Sequence, residues 1–564
     1  MTLRIILSIT LGLIAAVLST PAPAASEFSP QPKLLSVSGA NGTPDRSCIA
    51  TPASAKSKPE YQNLDTDSTA ARFQTVGRPR IARANIADGS TILEIEADTN
   101  FACRVETSTN LIDWENAGWV DGLRNGLFSF ADHSRASHPM RFYRAVLVEI
   151  PSVRIAVLSD PHYMHPSLLI SDGPAFQNYL LYDPKLLCQS AAILDSAIAG
   201  ITNARPDLVL IPGDLTKDGE LVSHQSAAEV LRRLRDAGIK VFVCPGNHDV
   251  ANPEAVAFDG ATVAPVPSVT PEEFAGIYAD FGYGNASIRD PNSLSYVAEP
   301  VPGLLILAMD ACRYDRNTNN RSFVGGYFDA ARWDWITNQL DRARAQGKLL
   351  IGMMHHGVTE HYLGQKTFFP EYVVDDYESV RETFARYRMR VVFTGHYHAH
   401  DIVQFDSPAG KLFDIETGSL LTYPCPYRVV DLAVNGWLAI KSQFVTNIDY
   451  DLGGVAFPNY AYSYITNGTM NYSVYLLTQP PYNLPPTAAQ QFAPPLTEAF
   501  LSHCIGDESS RSISPQTQGL IAFLLEQEDP MAQLMANALL ALFNDPEPAD
   551  NDLSINLLTG EVAP

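Results

Sequence analysis

No C-x-x-C pair occurs in this chain, and its seven cysteines (Cys48, Cys103, Cys188, Cys244, Cys312, Cys425 and Cys504) follow no regular spacing. That argues against a thiolate zinc site and against a compact disulfide framework. Basic residues are scarce: 39 Lys and Arg against 62 Asp and Glu give a net charge of −23. Such a surface repels nucleic acid and anionic membrane, so a nucleic-acid polymer is not an expected partner. Past the first two dozen residues no segment is apolar enough to span a bilayer. Charged residues make up only 18% against 46% apolar, a globular rather than a disordered balance. At 564 residues the chain exceeds a single core of ~100–200 residues, and two or three domains are expected.

The amino terminus has Arg4, an apolar stretch over 5–18, and then Ala22-Pro23-Ala24. A charged start, a short apolar run and an A-x-A site form a secretory leader, with cleavage expected after Ala24. The protein is therefore expected to be exported, periplasmic or secreted, with no stable membrane insertion after cleavage. No cysteine stands at the cleavage point, so a lipid anchor is not indicated.

Residues 25–80, rich in Ser, Pro, Ala and Thr, are expected to be a linker. Residues 81–150 alternate apolar and polar side chains, as in Thr91-Ile92-Leu93-Glu94-Ile95-Glu96, which predicts a small β module. A surface or carbohydrate contact and a simple spacer both suit it. Over 151–445 short β-branched runs alternate with helical patterns at 187–204, 226–237, 329–345 and 377–387, which implies a layered α/β core. Residues 446–564 are expected to form a mostly helical appendage. In it 447–483 has strand-like ends, 516–527 and 531–543 read as helices, and the acidic stretch 545–552 reads as a solvated tail.

The chemistry sits where the buried runs end. Asp160-Pro161-His162 follows 155–159, Gly213-Asp214 follows 208–212, and Gly246-Asn247-His248-Asp249 follows 241–245. His355-His356 follows 349–354, and Gly395-His396-Tyr397-His398 follows 391–394. Each piece alone is an ordinary turn composition. Together, at the carboxyl ends of predicted strands, they converge on one rim of an α/β sheet.

In that order the pieces resemble the calcineurin-like metallophosphoesterase superfamily over 151–445. The resemblance implies a four-layer fold, two packed β-sheets flanked by helices, and a centre of two divalent metal ions (Mn, Fe or Zn). Two ions activate a shared water and clamp the phosphate. Carried over position by position, Asp160, His162 and His398 would hold the first metal, Asn247, His355 and His396 the second, and Asp214 would bridge them. His248 is expected to be the catalytic residue that gives a proton to the leaving oxygen or stabilises the phosphoryl group, with Asp249 orienting it. His356 is expected beyond the ligands, and Lys217 and Asp218 on a loop at the site mouth. His400 is a candidate substrate contact.

Lys217 stands where purple acid phosphatases carry a ligand Tyr, which disfavours that subgroup. Gly213-Asp214-Leu215-Thr216-Lys217-Asp218-Gly219 and the segment from Gly418 to Arg428 look like the class III cyclic-nucleotide phosphodiesterase branch. A hydrolase of small phosphodiesters or monoesters is the expected function, its partner a small phosphoester substrate. A sphingomyelin-type phosphodiesterase and a non-catalytic surface-binding protein are the alternatives.

Overall fold

The structure, a computed structural model, describes residues 78–563 apart from 88–89, 99–100, 125–126, 133–139, 480–482, 509–512, 529 and 544–547. The expected leader with its cleavage point, Cys48 and the linker up to residue 77 lie outside the described residues.

Alternation along the strands sets the layers. In Leu304–Met309, Leu304, Ile306 and Ala308 enter the main core, while Leu305, Leu307 and Met309 enter a second one. Val391 and Phe393 face the main core and Val392 the second, as a period of two requires. This strand lies in a seven-stranded sheet whose order is Ile288–Arg289, Tyr296–Val301, Leu304–Met309, Leu349–Met354, Val391–Thr394, Gly410–Glu416, Ile402–Ser407. Its outer face is covered by the helices Ala330–Gln346 and Tyr377–Arg386, through Ile336, Leu340 and Phe384. Its inner face meets a second seven-stranded sheet ordered Lys240–Cys244, Leu208–Pro212, Val153–Val157, Pro426–Leu432, Trp437–Phe444, Asp552–Asn556, Val562–Ala563. Leu208–Pro212 is buried at every position, as expected of a parallel strand covered on both faces. The helices Ser190–Ala204 and Leu221–Asp236 close the other side. The chain thus has the α/β sandwich of two packed sheets flanked by helices.

The amino-terminal strands form a four-stranded and a three-stranded sheet around Leu93, Ile95, Cys103, Val105 and Phe130. Asn116 Nδ2 donates to the Arg344 carbonyl at 2.7 Å and Arg388 Nη1 to the Trp119 carbonyl at 2.6 Å, so this unit packs on the sandwich.

The carboxyl-terminal region differs from its sequence reading in two places. Phe457–Thr478 is one helix with no strand: Tyr460, Ala461, Tyr464, Ile465 and Gly468 make a buried face at helical spacing, which outweighs the local strand propensity of its tyrosines. The helices Pro486–Ile505, Pro515–Leu525 and Pro530–Phe543 follow. The end of the acidic stretch is not a free tail. Asp550 is fully buried, and Asp552–Asn556 pairs antiparallel with Trp437–Phe444 as a strand of the catalytic sheet. Cys188 is disulfide-bonded, whereas Cys103, Cys244, Cys312, Cys425 and Cys504 are free and buried.

Candidate metal centre

Five strands of the two sheets end at one place. Asp160 follows Val153–Val157, Asp214 follows Leu208–Pro212, and Asn247 follows Lys240–Cys244. His355 follows Leu349–Met354, and His396 follows Val391–Thr394. The backbone there is unusual. Asp160 (φ 51°), His162 (φ 35°), Asp214 (φ 49°), His396 (φ 83°) and His398 (φ 65°) all lie in the left-handed region. Each costs of order 1–3 kcal/mol, and such clustering belongs to functional sites. The kinks lie just past the strand ends, where the ligand-type side chains converge. Gly246 is required by the same crowding: a Cβ there would collide with the carboxylate and backbone nitrogen of Asp214.

The side chains meet in three overlapping groups, Asp160/His162/His398, His162/Asp214/His248 and Asp214/His355/His396, with the ligand-type atoms of each group within 4.8 Å of one another. His162 Nε2 lies 3.2 Å from His398 Nε2, and 3.7 Å from both Asp160 Oδ1 and Asp214 Oδ2. His355 Nε2 lies 3.2 Å from Asp214 Oδ2 and 3.0 Å from Asn247 Oδ1. Asp214 Oδ2 therefore stands between the two clusters.

The donor and acceptor balance of this cluster calls for a cation. His355 Nδ1 donates to the Pro212 carbonyl at 2.8 Å, and His396 Nε2 to the Glu371 carbonyl at 3.2 Å. Those bonds fix the tautomers and turn the remaining ring nitrogens, which are acceptors, toward Asp214. Nearly everything is buried: Asp160 and His162 are 0% exposed and Asp214 is 1% exposed. Buried acceptors facing one another repel unless a proton or a metal sits between them. The electrostatics agree. Burial would lower the His355 imidazole, but the Asp214 carboxylate outweighs it and raises it to about 9. Burial would likewise raise Asp214, yet the His355 and His248 imidazoles hold it well below the carboxylate range.

His248 differs from its neighbours. Its ring is about a fifth exposed, its Nε2 is 3.9 Å from Asp214 Oδ2, and its Nδ1 is 2.8 Å from Asp218 Oδ1. Burial acts to lower it, but Asp214 and then the Asp218 hydrogen bond raise it to about 9. Asp218 is the partner that sequence reasoning missed. Its other oxygen accepts from Tyr179 Oη at 3.1 Å and pairs with Lys217, which also pairs with Glu220 at 2.9 Å. Lys217 is thus buried rather than at the mouth. The signal was present as an acid four residues after Asp214 in the same loop.

Asp249 does not orient the His248 ring. Its carboxylate accepts from the backbone nitrogens of Gly246 (2.8 Å), Leu215 (3.1 Å) and Thr216 (3.0 Å), tying the Asp214 and Asn247 loops together. Two adjacent side chains on a turn diverge, which is why the neighbour in sequence is not the neighbour in space. His400 is also corrected. It is 0% exposed, its Nε2 meets Ser442 Oγ at 2.6 Å and its Nδ1 accepts from the Gly418 nitrogen, so it packs between strands and faces no substrate. His356 lies beyond the cluster, its Nε2 donating to the Val324 carbonyl at 2.9 Å. Lys185, unremarked in the sequence, is buried with Nζ 3.4 Å from His162 Nδ1 and 2.9 Å from Asp183.

Residues 153–400 match the family model described as calcineurin-like phosphoesterase. The chain carries a domain of that family and with it the class of metal-dependent phosphoester hydrolases. Similar solved structures include a dimetal phosphatase from Danio rerio (14% identity, 53% of this chain and 98% of that one, TM-score 0.37). A purple acid phosphatase from yellow lupin, Lupinus luteus, is also similar (10% identity, 65% and 72%, TM-score 0.32). So is a Haemophilus influenzae NAD nucleotidase (15% identity, 53% and 49%, TM-score 0.27). At these scores none bears on the substrate. No curated protein matches the chain.

Proposed function

We propose that the protein is an exported phosphoesterase that cleaves phosphodiester or monoester bonds of small molecules, cyclic nucleotides among them, at a centre of two divalent metals. The observation that carries this is Asp214 Oδ2, shared between a His162 nitrogen at 3.7 Å and a His355 nitrogen at 3.2 Å. In this reading Asp160, His162 and His398 hold one ion, Asn247, His355 and His396 the other, and Asp214 both. The donor set of carboxylate, amide and imidazole suits manganese, iron or zinc. When bound, two such ions supply the Lewis acidity that activates water and neutralises phosphoryl charge.

The remaining chemistry belongs to the chain. Asp218 accepts from His248 Nδ1 and leaves Nε2 aimed at the space beside Asp214, where a protonated ring can give its proton to a departing alkoxide. Lys217 and Tyr179 fix the Asp218 carboxylate, so the ring keeps one orientation. Export is supported by the leader and by the disulfide at Cys188, a bond of oxidising compartments. Among the described residues no helix is long and apolar enough to cross a membrane. A surface or carbohydrate contact through 81–150 is supported by Ile112 and Leu111, 79% and 56% exposed.

The test is a substrate panel on metal-free protein reconstituted with manganese, zinc or iron: a bis-aryl phosphate, a cyclic nucleotide and a sphingomyelin-type headgroup ester. Turnover of the first two supports the reading. Turnover of the headgroup ester alone transfers it to a lipid phosphodiesterase, and no turnover with two bound metals contradicts it.

A further inference from the structure

The loop that carries His396 and His398 is gripped by a part of the chain that the family match does not reach. His400 N donates to the His503 carbonyl at 3.0 Å, and Ile402 N donates to Asp550 Oδ1 at 2.7 Å. The other oxygen of Asp550 accepts from Asp507 N at 2.7 Å, and Asp550 N donates back to Asp507 Oδ1 at 2.8 Å. Asn551 Nδ2 donates to Asp507 Oδ2 at 2.6 Å, closing the reciprocal pair. On the far side Arg428, itself fully buried, donates from Nη1 to the Asp550 carbonyl at 2.5 Å and from Nη2 to the Glu416 carbonyl at 2.8 Å. Glu416 Oε1 in turn accepts from Ala399 N at 3.1 Å, one residue past His398. Gly506, at φ 76°, lies so close to the loop that a Cβ there would collide with the His400 carbonyl. The His503 ring stands 5.5 Å from that of Tyr397, the residue between the two histidines.

We propose that Asp550, with Asp507 and Gly506, is a positioning clasp for the His396–His398 loop, and that the carboxyl-terminal appendage is thereby a working part of the metal centre. The proposal rests on the reading of His396 and His398 as metal ligands. The loop needs an external hold because both histidines have positive φ, a conformation the chain does not keep unaided. Asp550 supplies it by presenting a buried carboxylate to the backbone nitrogen of Ile402, the first residue of the strand after the loop, while Asp507 fixes that carboxylate and Arg428 holds the Asp550 carbonyl. Partners that orient ligands without touching the metal commonly change metal affinity by roughly 10- to 100-fold when removed.

The experiment compares full-length wild type, Asp550→Ala, Asp550→Asn and a control, Asp431→Ala, which removes an exposed pair with Arg154 on the same sheet. Two quantities are read below the unfolding transition: amide exchange of peptides covering 396–402 in metal-free protein, and manganese affinity by calorimetry. Asp550→Ala is expected to speed exchange in 396–402 selectively and to weaken manganese binding by at least about tenfold. Asp550→Asn keeps the acceptor for Ile402 but not the one for Asp507, so it falls between. Asp431→Ala leaves both quantities unchanged. Unaltered exchange in Asp550→Ala, or unaltered manganese affinity beside faster exchange, overturns the clasp. A wild type that binds none of manganese, zinc and iron overturns the metal reading instead, and the exchange data then still show whether Asp550 holds the loop.

Discussion

Asp218→Asn is the substitution whose outcome depends most on the details of the site. It keeps the size of the side chain and leaves Lys217 paired with Glu220 at 2.9 Å, so no buried cation is orphaned. What it removes is the charge opposite His248 Nδ1 at 2.8 Å. A hydrogen bond to a charged group contributes about 1.5–3 kcal/mol, and a factor of ten in rate is about 1.4 kcal/mol. Turnover of a substrate with an alkoxide leaving group, such as a cyclic nucleotide, should therefore fall by roughly 10- to 150-fold. His248→Ala should cost ~10²–10⁴-fold, the span of general acid–base contributions. The double variant should be no slower than His248→Ala alone, because Asp218 acts through the ring it holds. A nitrophenolate leaves without a proton, so a bis-nitrophenyl phosphate should show small losses in all three variants. The assay is steady-state turnover of both substrates with metal content measured on the same preparations. A further tenfold loss on adding Asp218→Asn to His248→Ala would refute the relay. Equal losses on both substrates would show that His248 stabilises phosphoryl oxygen rather than giving up a proton.

Asn247→Ala should weaken one ion and regain turnover in excess manganese; failure of added metal to restore any activity would remove Asn247 from the ligand set. Burial lowers the His224 imidazole from 6.5 to about 4, so the unfolded chain takes up a proton that the folded chain refuses. That contribution to stability is present in full above pH 6.5, and about 3 kcal/mol of it is lost as pH falls through 4. Urea midpoints of wild type and His224→Gln should diverge over that window, and parallel curves would refute the assignment. Amino-terminal sequencing of protein from its native host should begin at Ala25 or within a few residues, and Met1 on cytoplasmic protein would reject export.

The layered α/β core was legible because short apolar runs bounded by polar turns alternate with helical patterns, and five of those runs end in metal-ligand residue types; the two packed sheets followed from the resemblance those residues carry. Spacing could place Asp160, Asp214 and His396 at strand ends. It could not place Asp249 or His400, whose partners include residues distant in sequence, Leu215, Thr216 and Ser442. Asp218 was visible as a residue but not as the partner of His248, since the contact joins two loops thirty positions apart. The strand Asp552–Asn556 was hidden by the acidic residues before it. Its hydrophobic positions, Leu553 and Ile555, find burial only on a sheet edge formed more than a hundred residues earlier.

The central claim is that one carboxylate, Asp214, holds two metal ions together. Metal-free wild type and Asp214→Ala should each be titrated with manganese and analysed for bound metal per chain. Wild type should take up two ions, and Asp214→Ala should lose both together, because removing the shared oxygen leaves two cations facing each other at short range. Two tightly bound ions and normal turnover in Asp214→Ala would contradict the account.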